Sequence, residues 1–173
     1  MSRFNIVTER LLLRPLGVGD LDTVNEYALD RENARYMIHL PNENARETLA
    51  FLQQAEAERA KIQPDSYEFA VLYQGRHIGA VNIRVDGNTG ELGWILNKAY
   101  WGNGFAAEAA QALVDHFAKR RHITHFVAHC DGANAASFRI MEKLGMERTT
   151  AYGGRRNRAA NTDSTEFQYE LWL

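Results

Sequence analysis

A glycine-rich turn leads directly into an amphipathic segment at residues 101–109, which read WGNGFAAEA. Apolar residues recur at four-residue spacing from Phe105 to Phe117, which predicts a helix with one buried face. The first amides of a helix have no intrahelical partner and lie at the positive end of its dipole, so they bind phosphate groups. Glycine at 102 and at 104 leaves the backbone unshielded and accepts positive φ. The turn therefore predicts a site for a diphosphate.

Two other interpretations of this turn stay open on the residues alone. Gly102, Gly104 and Ala107 also satisfy the dinucleotide-binding pattern G-x-G-x-x-G/A. A dinucleotide fold carries that turn after its first strand, whereas here most of the chain precedes it. In that interpretation, Asp131 is the only acidic residue near the expected position of the ribose. A lone glycine turn is also commonly a helix start without a ligand.

A second segment, at residues 134–146, has the signals of a short capped helix. Asn134 is a good N-cap, and Phe138 with Met141 begins an apolar face. Gly145 stands where a helix commonly ends in a left-handed residue. A strand is expected between the two helices, at residues 123–130, so the region predicts a βαβ unit followed by a helix.

Four stretches together resemble one enzyme family. They are TERLLLRPL at residues 8–16, GELGWIL at 90–96, AYWGNGFAAEA at 99–109 and the helix at 134–146. From about Thr8 to the C-terminus, the chain is similar to the GNAT superfamily of acetyl-CoA-dependent N-acetyltransferases, in its ribosomal-protein N-terminal acetyltransferase-like branch. The resemblance implies transfer of acetyl from acetyl-CoA to a primary amine, by direct attack in a ternary complex. The alternatives are a non-catalytic acyl-CoA-binding module and an NAD(P)-dependent oxidoreductase. The amine is a protein N-terminus or a small molecule, and no metal is implied.

The expected fold is α+β, with one domain over residues 1–173. It is a GNAT-like mixed, mainly antiparallel sheet of about seven strands flanked by helices. A hairpin turns at Gln74 and Gly75, and the strands ending at Leu96 and Cys130 are parallel neighbours. In the family the sheet splays at this pair, and the cleft receives the pantetheine arm. A later strand is expected from Met146 to Ala151, followed by a polar loop.

The resemblance also implies which residues contact the cofactor. Trp101 stands where many members carry glutamine or arginine, and Asn103 adds no positive charge, so the diphosphate is expected to rest mainly on backbone amides. The expected cofactor-binding residues are Ile95, Leu96, Asn97, Trp101, Gly102, Asn103, Gly104, Phe105, Ala106, Ala107, Asn134, Ser137 and Lys143.

Glu91 is the expected general base, since the branch usually has a glutamate in this strand. Alkylamines are mostly protonated at neutral pH, with a pKa near ~10.4, so a proton must be removed before attack. Burial is expected to raise the pKa of Glu91 toward a useful value. The alternative is a strand carboxylate paired with an arginine.

Asn134 and Ser137 are the other expected catalytic residues. Many members protonate the departing thiolate with a tyrosine, but Met141 stands at the corresponding position. We therefore expect Ser137 to contact the sulfur and Asn134 to hold the cofactor or an ordered water. A backbone amide near Leu96 is expected to stabilise the thioester oxygen. A helix cap and a local serine hydrogen bond are the alternative roles for Asn134 and Ser137.

Composition favours a small-molecule enzyme. Twenty basic and 22 acidic residues give a net charge of -2, which exerts no strong pull toward nucleic acid or membrane. Cys130 is the only cysteine, which excludes an internal disulfide and suits a reducing compartment. No apolar run approaches membrane-spanning length, so a cytoplasmic protein is expected. The oligomeric state stays open, with a homodimer among the alternatives.

Three features invite other functions that we expect to be absent. His122, His125 and His129 do not make a full set of metal ligands. Cys130 has no recognisable activating base, so a buried structural cysteine is expected. The basic stretch at residues 153–158 is expected to be a solvated, mobile connection, with an acidic substrate or ribosomal RNA as the alternative partner.

Overall fold

The computed structural model describes residues 4–160 and 162–173. Its strands are β1 (Ile6–Val7), β2 (Leu11–Pro15), β3 (Ser66–Tyr73), β4 (Arg76–Asp86), β5 (Thr89–Leu96), β6 (His125–Asp131), β7 (Glu147–Arg156) and β8 (Asp163–Trp172). Its α-helices are α1 (Leu21–Ala28), α2 (Ala45–Arg59), α3 (Phe105–Arg121) and α4 (Ala135–Lys143). Short 3-10 helices cover Val18–Asp20 and Lys98–Tyr100.

Across the described residues, the strands form one eight-stranded sheet in the order β1-β2-β3-β4-β5-β6-β8-β7. Every neighbouring pair is antiparallel except β5 and β6, which are parallel. The predicted mixed α+β fold is confirmed. The strand beyond the expected seven or so is β1, a two-residue strand that pairs Ile6 with Leu13 at the edge of the sheet.

Local signals place the hairpin as predicted and also explain where α2 begins. Gln74 and Gly75 both have positive φ, at 49° and 80°, so the chain reverses there between β3 and β4. At the start of α2, the Asn44 side chain accepts hydrogen bonds from the N–H groups of Arg46 and Glu47. This cap satisfies two of the amides that a helix start leaves without a partner.

Each face of the sheet packs against its own pair of helices. Helix α3 buries Phe105, Leu113 and Phe117 in the larger core, together with Phe126 of β6. Truncating a fully buried leucine such as Leu113 costs about 2–5 kcal/mol. On the opposite face, α1 and α2 pack over β3 and β4. On that same face, polar side chains stand from β5 onward, among them Glu91, His129 and Gln168.

The parallel strands β5 and β6 separate before they end. Their pairing runs from Thr89–His125 to Leu92–Ala128, although β5 continues to Leu96 and β6 to Asp131. Asn97 donates its N–H to the Ile78 carbonyl, so by alternation the N–H groups of residues 94 and 96 face away from β4 and toward β6. The predicted splay is confirmed. We call the space between residues 93–96 and residues 129–131 the fork.

The basic stretch at residues 153–158 differs from its prediction. Strand β7 continues to Arg156, with register shifts between Arg148 and Thr150 and between Tyr152 and Arg155. The Arg155 side chain is only 7% exposed and donates to Glu166, Asn157 and the carbonyl of Tyr36. The interpretation as a loop was therefore wrong for residues 153–156, because β7 continues through them and Arg155 is held by oxygen partners. Gly153, Gly154 and Arg156 are exposed to solvent, as expected.

Among the described residues, the helices are all too short or too polar to cross a membrane.

Candidate active site

The turn before α3 presents a run of free amides. Gly102 and Gly104 both have φ of 78°, and the first hydrogen bond back into this turn runs from the Glu108 N–H to the Gly104 carbonyl at 3.1 Å. The backbone N–H groups of residues 102–107 have no hydrogen-bond partner among the described residues. They lie at the positive end of a 17-residue helix, which is the arrangement that binds a diphosphate.

The polar side chains of this turn hold its shape. The indole N–H of Trp101 donates to the Leu96 carbonyl at 3.0 Å, and the Asn103 amide donates to the carbonyls of Tyr100 and Trp101 at 3.1 Å each. Because these bonds point inward, the free amides are left for a ligand. Direct cofactor contacts of the Trp101 and Asn103 side chains stay predictions.

A cation that the sequence analysis missed lies at this turn. The Arg10 guanidinium donates from Nε to Glu108 at 2.7 Å and from Nη1 to the Asn103 carbonyl at 3.1 Å. It also lies 4.6 Å from the ring centroid of Phe105. A Cβ added to Gly104 would lie 3.6 Å from Nη2 of Arg10, so that nitrogen faces the turn. Arg10 belongs to the opening TERLLLRPL stretch, which contributed to the family resemblance but predicted no contact with a ligand.

Asn33 fastens the segment between α1 and α2 to the end of β5. Its Nδ2 donates to the Leu96 carbonyl at 2.9 Å, and its Oδ1 accepts from the Lys98 N–H at 2.6 Å. The residue is buried, so these bonds are shielded from water. No motif surrounds Asn33, and no sequence pattern indicated this role. The Leu96 N–H, the expected donor to the thioester oxygen, is left facing the fork.

On the other side of the fork, α4 begins with a capped turn. Asn134 Oδ1 accepts from the Ser137 N–H at 3.2 Å, so Asn134 is a helix cap, as its alternative interpretation held. The Ser137 hydroxyl lies beside the Cys130 thiol, and burial raises the pKa of Cys130 to about 11. Cys130 is buried as expected. Lys143 is exposed in the last turn of α4, the end where a lysine favours the helix dipole.

Asp131 is the centre of a buried polar network behind this turn. It is 2% exposed and accepts hydrogen bonds from Ser164, Asn157 and the Ala133 N–H. Burial opposes its ionisation, but these hydrogen bonds hold the pKa of Asp131 below its ordinary value. Its oxygens are thus already engaged by the protein. The dinucleotide interpretation, which needed Asp131 for a ribose, loses its acidic residue.

Glu91 and His129 form a pair at the base of the fork. Glu91 Oε1 lies 3.1 Å from His129 Nδ1, and the Glu91 side chain is 51% exposed. This hydrogen bond outweighs partial burial and holds the pKa of Glu91 below its ordinary value. The expected raised pKa was therefore wrong, and the partner is a histidine rather than an arginine. The same contact raises the pKa of His129.

Burial raises the pKa of a different carboxyl, that of Glu68, to about 7. Glu68 accepts a hydrogen bond from Asn82 Nδ2 at 3.0 Å. Asn82 lies opposite Gly93 of β5, where a Cβ would come within 2.3 Å of Asn82 Oδ1. Glu68 stands on β3, two strands from β5, so at about 4.8 Å per strand it lies about 10 Å from the fork. The alternating sequence pattern of β3 did not indicate that the Glu68 carboxyl would be buried.

The histidines have partners of their own. His125 stacks on Trp172, with ring centroids 3.7 Å apart, and lies 2.8 Å from Glu170. Within residues 4–160 and 162–173, no group of three or more His, Cys, Asp or Glu side chains is arranged to hold a metal ion.

A forked parallel strand pair beside a helix tip rich in free amides is the arrangement expected of an acyltransferase that uses coenzyme A. Residues 10–147 match the family model described as Acetyltransferase (GNAT) domain. This match covers most of the chain, so the protein belongs to the GNAT acetyltransferase family and is an acyltransferase.

Relatives and solved structures agree with this membership. The uncharacterized N-acetyltransferase YnaD of Bacillus subtilis is 32% identical over 147 residues, which cover 83% of each chain. A GNAT-family acetyltransferase from Bacillus anthracis is similar in structure, with a TM-score of 0.82, 27% identity and 98% coverage of both chains. An acetyltransferase from Salmonella typhimurium, described as modifying the N-terminal serine of ribosomal protein L7/L12, has a TM-score of 0.81, 16% identity and 96% coverage of both chains. This last likeness concerns the fold alone.

Proposed function

We propose that the protein transfers the acetyl group of acetyl-CoA to a primary amine, on a protein N-terminus or a small molecule, by direct attack in a ternary complex. The run of free amides at residues 102–107, beside the fork, is the observation that carries the proposal. In this proposal, the diphosphate of the cofactor accepts hydrogen bonds from these amides, including those of Phe105, Ala106 and Ala107. Residues 1–173 act as one domain, since the sheet is continuous over the described strands.

The pantetheine arm then lies in the fork. Residues 94 and 96 turn their N–H groups toward β6 beyond the last paired residues, so they are free to bond the amide groups of pantetheine. Ile95, Leu96 and Asn97 form the β5 side of this channel. The Leu96 N–H donates to the thioester oxygen as negative charge develops on it.

Ser137 and Asn134 act on the other side of the fork. Ser137 stands in the first turn of α4 beside Cys130, at the end of β6, so its hydroxyl is suited to meet the departing sulfur. Asn134 keeps its amide Nδ2 for the cofactor or for a water, because only its Oδ1 is used in the cap. Lys143 contributes at most a contact with the nucleotide phosphates.

The amine approaches from the sheet face opposite α3 and α4. Those helices fill the other face with apolar side chains, whereas the open face carries Glu91, whose carboxylate attracts an ammonium group. An N-terminal amine is supported by structural neighbours named as acetyltransferases of ribosomal protein L7/L12, whose fold this chain shares. Small amines fit the same chemistry.

The test is a mass-spectrometric screen with acetyl-CoA and a panel of amines that includes a peptide beginning with serine. Thiol release is followed in parallel. The expected result is one acetyl group on a primary amine for each coenzyme A thiol released. Thiol release without any acetylated amine, or no release with any member of the panel, would contradict the proposal. A parallel screen of the Gly104→Val variant controls for uncatalysed acetylation.

A further inference from the structure

We propose that Glu91 and His129 act as one base, and that the position between Glu91 Oε1 and His129 Nδ1 receives the proton lost by the amine. This inference rests on the proposed function and deepens it. His129 follows directly after Ala128, the last residue of β6 that pairs with β5. Its ring therefore stands at the first position where the two strands are apart, on the sheet face from which the amine approaches.

Hydrogen bonding fixes which ring nitrogen exchanges its proton. The Gln168 amide donates from Nε2 to Glu170 at 2.6 Å, so its Oε1 is the atom turned toward His129 Nε2, at 3.2 Å. Because an amide oxygen only accepts, Nε2 keeps its hydrogen. The exchangeable proton is then the one on Nδ1, which faces the Glu91 carboxylate at 3.1 Å. With both protons present, the ring is an imidazolium held by two acceptors.

The active form carries one proton fewer, with Glu91 ionised and His129 neutral. An ammonium group at the fork gives one proton to Nδ1, and the resulting amine attacks the thioester carbon. The C–N bond forms, the C–S bond breaks and the electron pair leaves with sulfur. The second nitrogen proton passes to that sulfur, so the products are an amide and coenzyme A thiol. The pair returns its proton to solvent.

Two other charged side chains influence the protonation of the pair. Arg84 on β4 acts on Glu91, and Glu166 on β8 acts on His129. Glu166 is itself bonded to Arg155 and to the Tyr152 hydroxyl, which weakens its effect. Glu91 therefore has the largest influence on the protonation of His129, and removing its charge must lower the pKa of the ring.

The first test is the pH dependence of kcat for acetyl-CoA with a peptide beginning with serine. The wild-type rate is expected to rise through a pKa above that of ordinary histidine. In Glu91→Gln the rise moves to lower pH, with a plateau lower by about 10²-fold, and in His129→Gln the rise disappears with a similar loss. Glu91 acting alone would place the rise at acidic pH and leave it intact in His129→Gln, which would overturn the proposal.

Two matched variants separate the pair from its surroundings. His125→Gln changes a histidine on the same strand that is also bonded to a glutamate but lies in the paired region, and it is expected to keep the wild-type pH profile. Glu68 also titrates near neutral pH, so Glu68→Gln must keep the rise as well. Loss of the rise in either variant would assign it to a group other than the pair.

A second measurement does not depend on the acceptor. The His129 ring is titrated by NMR in the protein without ligands, and its pKa is expected to lie above ~6.5, the ordinary value for histidine, and to fall in Glu91→Gln. An unchanged titration in that variant would refute the pair. Calorimetry with coenzyme A keeps this separate from the proposed function. If the wild type acetylates the peptide, and His129→Gln binds coenzyme A and keeps the wild-type pH dependence of kcat, only the pair is refuted. Failure of the wild type to bind coenzyme A refutes the function itself.

Discussion

The Arg10 guanidinium lies 2.7 Å from the Glu108 carboxylate and joins the start of the chain to the first turn of α3. Thr8 donates to the same carboxylate from its hydroxyl, at 2.5 Å. The contact leaves Nη2 of Arg10 directed at Gly104, so one arginine both braces the turn and brings a positive charge to its free amides.

Arg10→Gln should therefore weaken binding of coenzyme A. A hydrogen bond to a charged group contributes about 1.5–3 kcal/mol, so we expect a loss of roughly tenfold or more in affinity by calorimetry. Arg120→Gln makes the same charge change at the exposed far end of α3 and should leave the affinity unchanged. Equal affinities for the wild type and Arg10→Gln would remove Arg10 from the site.

Gly104→Val should abolish most binding of coenzyme A. The valine side chain enters the space beside the free amides, and the backbone there has φ of 78°, which L side chains rarely adopt. Gly75→Val is the matched control, because Gly75 has φ of 80° in the hairpin turn and a Cβ added there meets no atom within 4 Å. Both variants should lose similar stability, but only Gly104→Val should lose affinity. A loss of affinity in both would point to general strain.

Glu68→Gln should change the pH dependence of stability. The folded pKa of Glu68, about 7, exceeds the ordinary value of 4.5. The free energy of unfolding is therefore highest below pH 4.5, and it falls as pH rises through 7 and the buried carboxyl ionises. At 1.36 kcal/mol per pKa unit, the full penalty is on the order of 3 kcal/mol. In denaturant unfolding from pH 5 to 8, the free energy of unfolding of the variant should increase relative to that of the wild type as pH rises. A constant difference would mean that Glu68 is ionised throughout.

Asp131→Ala should destabilise the protein strongly. The change leaves Asn157, Ser164 and the Ala133 N–H without their acceptor in a buried site and removes the charge beside Arg155, at a cost of about 3–5 kcal/mol. Asp163→Ala breaks an exposed pair with Arg156, whose side chains are 58% and 81% exposed, and should cost about 0–1 kcal/mol in chemical denaturation. Comparable losses would indicate that the Asp131 network contributes little.

Local signals were enough to predict the framework of the site. Alternation, the turn at Gln74 and Gly75 and the cap at Asn134 depend on residues close together in the chain, and each lies where it was predicted. The parallel pairing of β5 and β6 was predictable as well, because two strands joined through a helix form a right-handed βαβ unit with parallel strands.

The missed contacts join residues distant in sequence. Arg10 reaches Glu108, Asn33 reaches Leu96, and His129 reaches Glu91, and no spacing rule connects these pairs. The predicted rise in the pKa of Glu91 was wrong for this reason, since the direction of the shift depends on a partner 38 positions away. Residues 153–156 were misjudged because glycine and arginine are typical of loops, while their strand conformation depends on pairing with β8.

A crystal structure of the protein with acetyl-CoA tests the central claim most directly. The account predicts that diphosphate oxygens lie within hydrogen-bonding distance, about 2.7–3.2 Å, of backbone N–H groups of residues 102–107. It also predicts that the thioester lies in the fork, between Leu96 and Ser137. A cofactor bound elsewhere, with those amides facing only solvent or protein side chains, would contradict it.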